Sequence, residues 1–240
     1  MRAMAAPVKP IVIEFLGLPG AGKSTVCQQV TAILHQEGWH VLQRYDYYRW
    51  LQRCPWTVKV KVHTCGYLKR FPITLKILCY ELMRPPLNRW SLRLARTLAL
   101  HHAYFDEFIR ATHPQLCLLD QWTLQSLWSI GVTHQETDSA PVTTMAHTLI
   151  TDAPHAYIYF HLPPEVAAHR VAHRPTGQSR FDQRPYQEIK AILRQSDQLF
   201  QAILFAVEMQ KRPLLRLDAT QPVPDQVDQV IGWIKGMRDS

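Results

Sequence analysis

Short apolar runs alternate along the chain with longer stretches in which apolar residues recur every three or four positions. Ile11–Gly17 (IVIEFLG) is nearly all apolar and reads as a strand buried on both faces. Glu14 interrupts it; a carboxylate there requires a partner, which the sequence does not identify. A glycine-rich turn follows, then a helix over Gly22–Gln36 that Gly38 terminates. His40–Asp46, Gln115–Asp120, His155–Leu162 and Pro213–Ala219 read as four more strands. Between them the spacing predicts helices over Asn88–Thr112, Trp122–Val132, Pro163–His173, Pro185–Gln210 and Pro224–Arg238. Asn88 is the expected N-cap of the first of these, with Leu94, Leu98, Phe105 and Ile109 along one face. Such alternation predicts an α/β fold with a parallel sheet covered on both faces, and ligands binding at its carboxyl edge.

The interval between the second and third strands is too long for a connecting loop. It reads as a helical insertion of three or four helices, about 47–113, within one domain spanning 1–240, and it is placed to form a flap over the carboxyl edge. Charge singles out the same region. The whole chain carries +8, yet Arg44–His113 holds 13 Lys and Arg against 4 acidic residues, a balance of +9, and the remainder balances to −1. A concentrated basic region favours anionic partners: phosphorylated substrates, nucleic acid or an acidic membrane surface. Aromatic residues are interleaved there (Tyr45, Tyr47, Tyr48, Trp50, Trp56, Tyr67, Phe71), suited to stacking on a base or sugar. Phe71–Met83 is apolar on most sides and reads as core or a homodimer face.

With 47% hydrophobic and 19% charged residues the composition is that of a globular protein. No apolar run approaches the roughly 20 residues of a membrane span, and nothing before Pro10 resembles a secretory signal. The 5 cysteines form no C-x-x-C pair, which fits buried thiols in a reducing cytoplasm. The 12 histidines include no H-E-x-x-H pattern.

Gly17-Leu18-Pro19-Gly20-Ala21-Gly22-Lys23-Ser24-Thr25 fits G-x-x-x-x-G-K-[ST] between a strand and a helix. Glycines let the backbone curl until successive amides point at phosphate oxygens, and the helix N-terminus adds positive potential. Lys23 is expected on the β- and γ-phosphates and Ser24 on Mg²⁺. Leu116–Asp120 is an apolar run ending in an acid, where Asp120 would help hold the metal, cap the following helix, or both. Asp46 ends the second strand in the same way and is a candidate to accept a proton from a substrate hydroxyl or to orient the acceptor. After the fourth strand, Arg170 and Arg174 share a helix face and Arg180 lies in the loop beyond Pro175 and Gly177; guanidinium groups there suit the charge of a transferring phosphoryl group.

These residues resemble the thymidylate kinase and deoxynucleoside kinase branch of P-loop kinases. The resemblance rests on the phosphate loop, Leu118-Leu119-Asp120-Gln121-Trp122, the segment from Tyr157 to Arg174, Ser179-Arg180-Phe181-Asp182 and Leu217-Asp218-Ala219-Thr220; it covers about 11–46 and 115–238 and not the basic middle. It implies a five-stranded parallel sheet of order 2-3-1-4-5, ATP with Mg²⁺ as donor, and a lid at about 174–184. It implies nucleotide contacts from Gly17, Pro19, Gly20, Ala21, Gly22, Lys23, Ser24 and Thr25, metal contacts from Ser24 and Asp120, lid arginines at Arg170, Arg174 and Arg180, and an adenine-bordering loop at Asp218, Ala219 and Thr220. Two positions depart from the family. Asp120-Gln121-Trp122 lacks the arginine that commonly follows the acid, and Arg44-Tyr45-Asp46 stands where Glu-Pro often follows strand two. The acceptor therefore stays open between a nucleotide or nucleoside and a sugar, antibiotic or lipid precursor. A non-kinase ATP-binding protein whose basic middle docks an anionic partner such as RNA is the rival of a different class.

Overall fold

A computed structural model describes residues 10–62, 67–83, 89–150, 156–174, 181 and 184–239. Five strands, β1 (Ile11–Gly17), β2 (Val41–Gln43), β3 (Leu116–Asp120), β4 (Ala156–His161) and β5 (Leu214–Asp218), form one parallel sheet in the order β2-β3-β1-β4-β5. The order and sense match those the sequence implies. Helices α1 (Lys23–Gln36), α6 (Thr123–Thr133), α7 (Ala140–Ile150), α8 (Pro164–Ala172), α9 (Tyr186–Met209) and α10 (Val223–Asp239) pack around the sheet. The long excursion between β2 and β3 holds four helices among the described residues: α2 (Arg44–Arg53), α3 (Trp56–Lys61), α4 (Tyr67–Leu82) and α5 (Arg89–Thr112). No helix among them is long and apolar enough to cross a membrane.

The period of two in β1 and β3 sorts their side chains into separate cores. Ile13 and Phe15 join Leu116 and Leu118 in the larger core. Val12, Cys117 and Leu119 point the other way, into an aromatic cluster supplied mainly by the insertion: Tyr47 from α2, Tyr104, Phe105 and Phe108 from α5, and Trp122 just beyond β3. His101 stacks on the Trp122 indole, 3.9 Å between centroids with planes 1° apart, and Tyr47 meets the same indole edge-on at 5.0 Å. This cluster is what fastens the insertion to the sheet.

Several sequence expectations need correction. The second strand ends at Gln43, not Asp46, because Gln43 and Asp46 form a reciprocal capping box that starts α2 at Arg44. Helix α7 lies outside the elements that the spacing predicts. Its polar face consists of threonines and a histidine, so the segment lacks the charged residues that mark an exposed helix face. Cys79 is exposed, whereas Cys27, Cys54 and Cys117 are buried as expected. Helix α4 is half core and half surface. Ile77 and Tyr80 are buried, while Phe71, Leu75, Leu78 and Leu82 form an exposed stripe. The expected N-cap Asn88, Cys65, the lid residue Arg180 and most of the lid loop lie outside the described residues.

Replacing Trp122 with Ala removes the ring on which His101, Tyr47 and Phe105 converge. The expected cost is about 3–5 kcal/mol, measured by denaturant unfolding. A loss under about 1 kcal/mol contradicts the anchoring role given to this cluster.

Candidate phosphate site

The carboxyl edge of the sheet brings together β1, β3 and β5 with the N-terminus of α1. Gly17 closes β1 at φ +148°, and a Cβ there would sit 2.7 Å from the Phe160 carbonyl oxygen, so only glycine lets the strand pass β4 and turn. The chain then curls through Leu18–Ala21, with the Ala21 amide donating to the Leu18 carbonyl at 3.2 Å. It enters α1 from Gly22 in the left-handed region (φ 83°), a helix start with no side-chain cap. Pro19 and Gly20 form the outer turn, and Thr25 lies exposed on the first turn of α1. The uncapped amides at that helix start leave the donors that a phosphate needs.

Lys23 folds back into this loop. Its ammonium donates to the Gly17 carbonyl at 2.7 Å and the Leu18 carbonyl at 3.0 Å, and the residue is buried. Burial lowers its pKa to about 7; Arg174 acts in the same direction and Asp120 opposes it. Ser24 Oγ donates to Asp120 Oδ2 at 2.6 Å, joining the loop to the end of β3. The other carboxylate oxygen, Oδ1, pairs with Arg44 Nε at 3.2 Å. Ser24 and Asp120 therefore meet as the resemblance implies. Arg44 is an addition: the sequence marks it as a member of the basic segment and of the departing Arg44-Tyr45-Asp46 run, with no role at the site.

On the opposite side Arg170 spans two loops. Its Nη1 donates to the Gly20 carbonyl at 3.3 Å and the Ala219 carbonyl at 3.1 Å, tying the phosphate loop to the end of β5. Arg174 is exposed one turn further on. Asp218 Oδ1 accepts from the Thr220 hydroxyl at 2.6 Å and the Thr220 amide at 2.9 Å, bonds that hold its pKa below the usual carboxylate range and shape the loop beside Ala219. Asp46 lies in the first turn of α2, where its Oδ2 accepts the Gln43 amide at 2.9 Å and caps the helix.

A cavity of about 440 Å³ opens beside the loop, lined by Ser24, Cys27, Gln28, Gln43, Arg44, Tyr45, Tyr48 and Asp120. Tyr48 carries the aromatic cluster to this wall, with its hydroxyl 3.0 Å from His101 Nε2. Burial raises the Tyr48 pKa against the pull of Arg44. A larger cavity of about 510 Å³, between the end of α6, Phe181 and α9, contains none of these residues.

The partner that Glu14 requires is the start of α6. Glu14 is fully buried on the Val12 face of β1; it accepts the Gln125 amide at 2.9 Å and the Thr123 hydroxyl at 3.1 Å. It supplies the capping acceptor that Trp122, the N-cap residue of α6, does not. Gln125 then turns its side-chain carbonyl to the Gly17 amide at 3.1 Å. The mid-strand carboxylate thus supports the first residue of the phosphate loop through one intervening side chain. The acid inside an apolar strand signals a buried partner, but only the fold brings Thr123 and Gln125 within reach.

Burial pushes Glu14 from 4.5 up to about 7, against hydrogen bonds from the Gln125 and Leu124 amides and the Thr123 hydroxyl. The folded state therefore binds more protons than the unfolded chain between these values. The stabilisation this group contributes is full below pH 4.5 and lost as pH rises through about 7. The loss is about 3 kcal/mol as an upper bound. Glu14→Gln should flatten the dependence of unfolding free energy on pH across that window, read from urea titrations. An unchanged profile contradicts the assignment.

No family model matches the chain, and no curated protein matches it in sequence. Solved structures do. Deoxyadenosine kinase from M. mycoides, with its products dCMP and a flexible dCDP, aligns with 94% of this chain and 99% of its own at 15% identity and a TM-score of 0.51. The same enzyme with bound dATP aligns with 93% of this chain and 99% of its own, at 15% identity and a TM-score of 0.50. What the chain shares with them is a fold, a five-stranded parallel sheet flanked by helices.

Proposed function

We propose that this chain is a P-loop kinase that transfers the γ-phosphoryl group of ATP to a hydroxyl of a small neutral acceptor of the nucleoside type. The observation that carries the reading is the folding of Lys23 back into the Gly17–Gly22 turn beside Ser24 and Asp120, the last two held together at 2.6 Å at the carboxyl edge. The aligned structures are of a deoxyadenosine kinase, one with the product dCMP and one with bound dATP, and they support a nucleoside-type acceptor.

On this reading the triphosphate displaces the Gly17 and Leu18 carbonyls as partners of the Lys23 ammonium. Arg170 keeps the phosphate loop and the Asp218–Thr220 loop in register, so phosphates and adenine are bound by one rigid rim. Arg174, close enough to depress the Lys23 pKa, is positioned to meet the same phosphates. Arg180 belongs with it in the proposed lid. The hydroxyl of Ser24 and the carboxylate of Asp120 are the hard oxygen ligands that Mg²⁺ takes beside phosphates and water. When bound, Mg²⁺ would neutralise charge on the β- and γ-phosphates. Catalysis is then positioning and charge stabilisation with little covalent work for the protein.

The acceptor cavity argues for a neutral substrate. Its lining holds one cation, Arg44, already paired with one anion, Asp120; its remaining groups are amides, phenols, a hydroxyl and a thiol. A nucleoside or polyol hydroxyl fits that balance, whereas a monophosphate would need surplus positive charge. A cytoplasmic location suits such a substrate.

Lys23 is largely neutral above its pKa of about 7 in the free protein and becomes charged against a phosphate. Nucleotide binding should therefore take up close to one proton at about pH 8.5 and almost none at about pH 5.5. Calorimetry in buffers of different ionisation enthalpy measures this, and Lys23→Ala should abolish both the uptake and phosphoryl transfer while the protein stays folded. Retained turnover in that variant overturns the kinase reading. With labelled ATP and a panel of nucleosides, nucleoside monophosphates and sugars, label should pass to neutral acceptors, and preference for a monophosphate contradicts the acceptor assignment.

A further inference from the structure

Arg44 stands where local stability alone would not place a cation. It is the first residue of α2, where the helix N-terminus carries positive potential, and the acid of that first turn, Asp46, is committed to the capping box. Its compensation comes from another element. Arg44 Nε lies 3.2 Å from Asp120 Oδ1 at the end of β3, and its guanidinium sits 5.8 Å from the centre of the Tyr48 ring. The pair is only partly buried, with side chains 30% and 17% exposed, and Arg44 lines the cavity together with Ser24. The guanidinium is thus one carboxylate away from the phosphate loop, on the side facing the acceptor.

Asp120 cannot serve all its partners with equal strength. Its Oδ2 accepts from Ser24 and its Oδ1 from Arg44. A divalent cation bound to Ser24 and Asp120 draws on the same negative charge and repels a guanidinium beside it. Lys23 is held on two backbone carbonyls and Arg44 on Asp120.

From this geometry we infer that Arg44 is a catalytic arginine held off by Asp120. Were Asp120 shared with a metal, Arg44 would be freed into the cavity to contact the phosphoryl group passing from ATP to the acceptor. It stabilises that group from the acceptor side, opposite Arg170 and Arg174, and forms no covalent bond. The inference rests on the kinase reading above, and it explains why a basic residue follows β2 at the mouth of the cavity. A guanidinium presents several donors in a plane, matched to phosphoryl oxygens in a way a lysine is not. Arg44 then links metal loading to catalytic competence, because it reaches the acceptor side only once its partner carboxylate is shared.

The test uses Arg44→Ala and Arg44→Lys in the full chain, with two measurements that a merely structural tether would not move in opposite directions. The first is binding of a non-hydrolysable ATP analogue by calorimetry at graded Mg²⁺, with no acceptor present. Arg44→Ala frees Asp120 and should lower the Mg²⁺ concentration needed for half-maximal binding several-fold. The second is turnover on the neutral acceptor that wild-type protein phosphorylates best. Arg44→Ala should lower kcat on the order of 100-fold with KM for ATP unchanged, and Arg44→Lys should recover only part of it. If the wild type binds the analogue and Arg44→Ala leaves the Mg²⁺ requirement unchanged or raises it, the inference fails while the phosphate site stands. Turnover in Arg44→Ala within about threefold of wild type also overturns it. If wild-type protein binds no analogue at all, the kinase reading fails and takes this inference with it.

Discussion

A buried ammonium is tolerable only where its surroundings carry opposing charge or dipoles, and Lys23 depends on two carbonyls of its own loop for this. Burial has already lowered its pKa to about 7, so the folded protein holds this charge at the edge of what it can keep. On the proposed function, that tension favours a phosphate as the partner of Lys23. The loop turns through Gly17, Gly20 and Gly22, each at positive φ, and the Lys23 side chain folds back into it. A triphosphate supplies better acceptors for both the amides and the ammonium. The fold around the loop serves to keep this arrangement from relaxing. The sheet fixes Gly17 against Phe160, the β5 loop is tied on by Arg170, and β3 delivers Asp120 to Ser24.

Asp120 is the second centre of the site and acts by being shared. Ser24 and Arg44 occupy its two oxygens, one from the donor side and one from the acceptor side. Behind it, a polar connection runs from Glu14 through the start of α6 to Gln125 and back to Gly17. The aromatic cluster around Trp122 lies between these polar layers and the insertion, so the residues after Asp120 position the acceptor wall as well as the phosphate loop. The result is a connected floor beneath the cavity, with the basic insertion forming one of its sides.

The parts legible in the sequence are those set by short-range rules. G-x-x-x-x-G-K-S between an apolar strand and a helix locates the phosphate loop, and apolar runs mark most of the strands within a residue or two. The order of the sheet comes with the family resemblance, since periodicity carries no information on which strands neighbour one another. Asp46 is misplaced by pattern alone, because a strand ending in an acid and a capping box starting a helix look alike until the next turn is counted. Gln43 and Asp46, three apart, are the available signal. Glu14 poses a problem that the sequence cannot solve, because its partners lie more than a hundred residues away along the chain. Arg44 looks like one of many basic residues, and only the pairing of β2 with β3 sets it beside Asp120.

The central claim is that a triphosphate replaces the loop carbonyls as the partner of Lys23. A crystal structure of the protein with a non-hydrolysable ATP analogue and Mg²⁺ tests it most directly. The account predicts phosphate oxygens among the amides of Gly20 to Ser24, with the Lys23 ammonium moved off the Gly17 and Leu18 carbonyls onto them. A structure in which the analogue binds elsewhere, or in which Lys23 still holds its two carbonyls beside an ordered nucleotide, contradicts it.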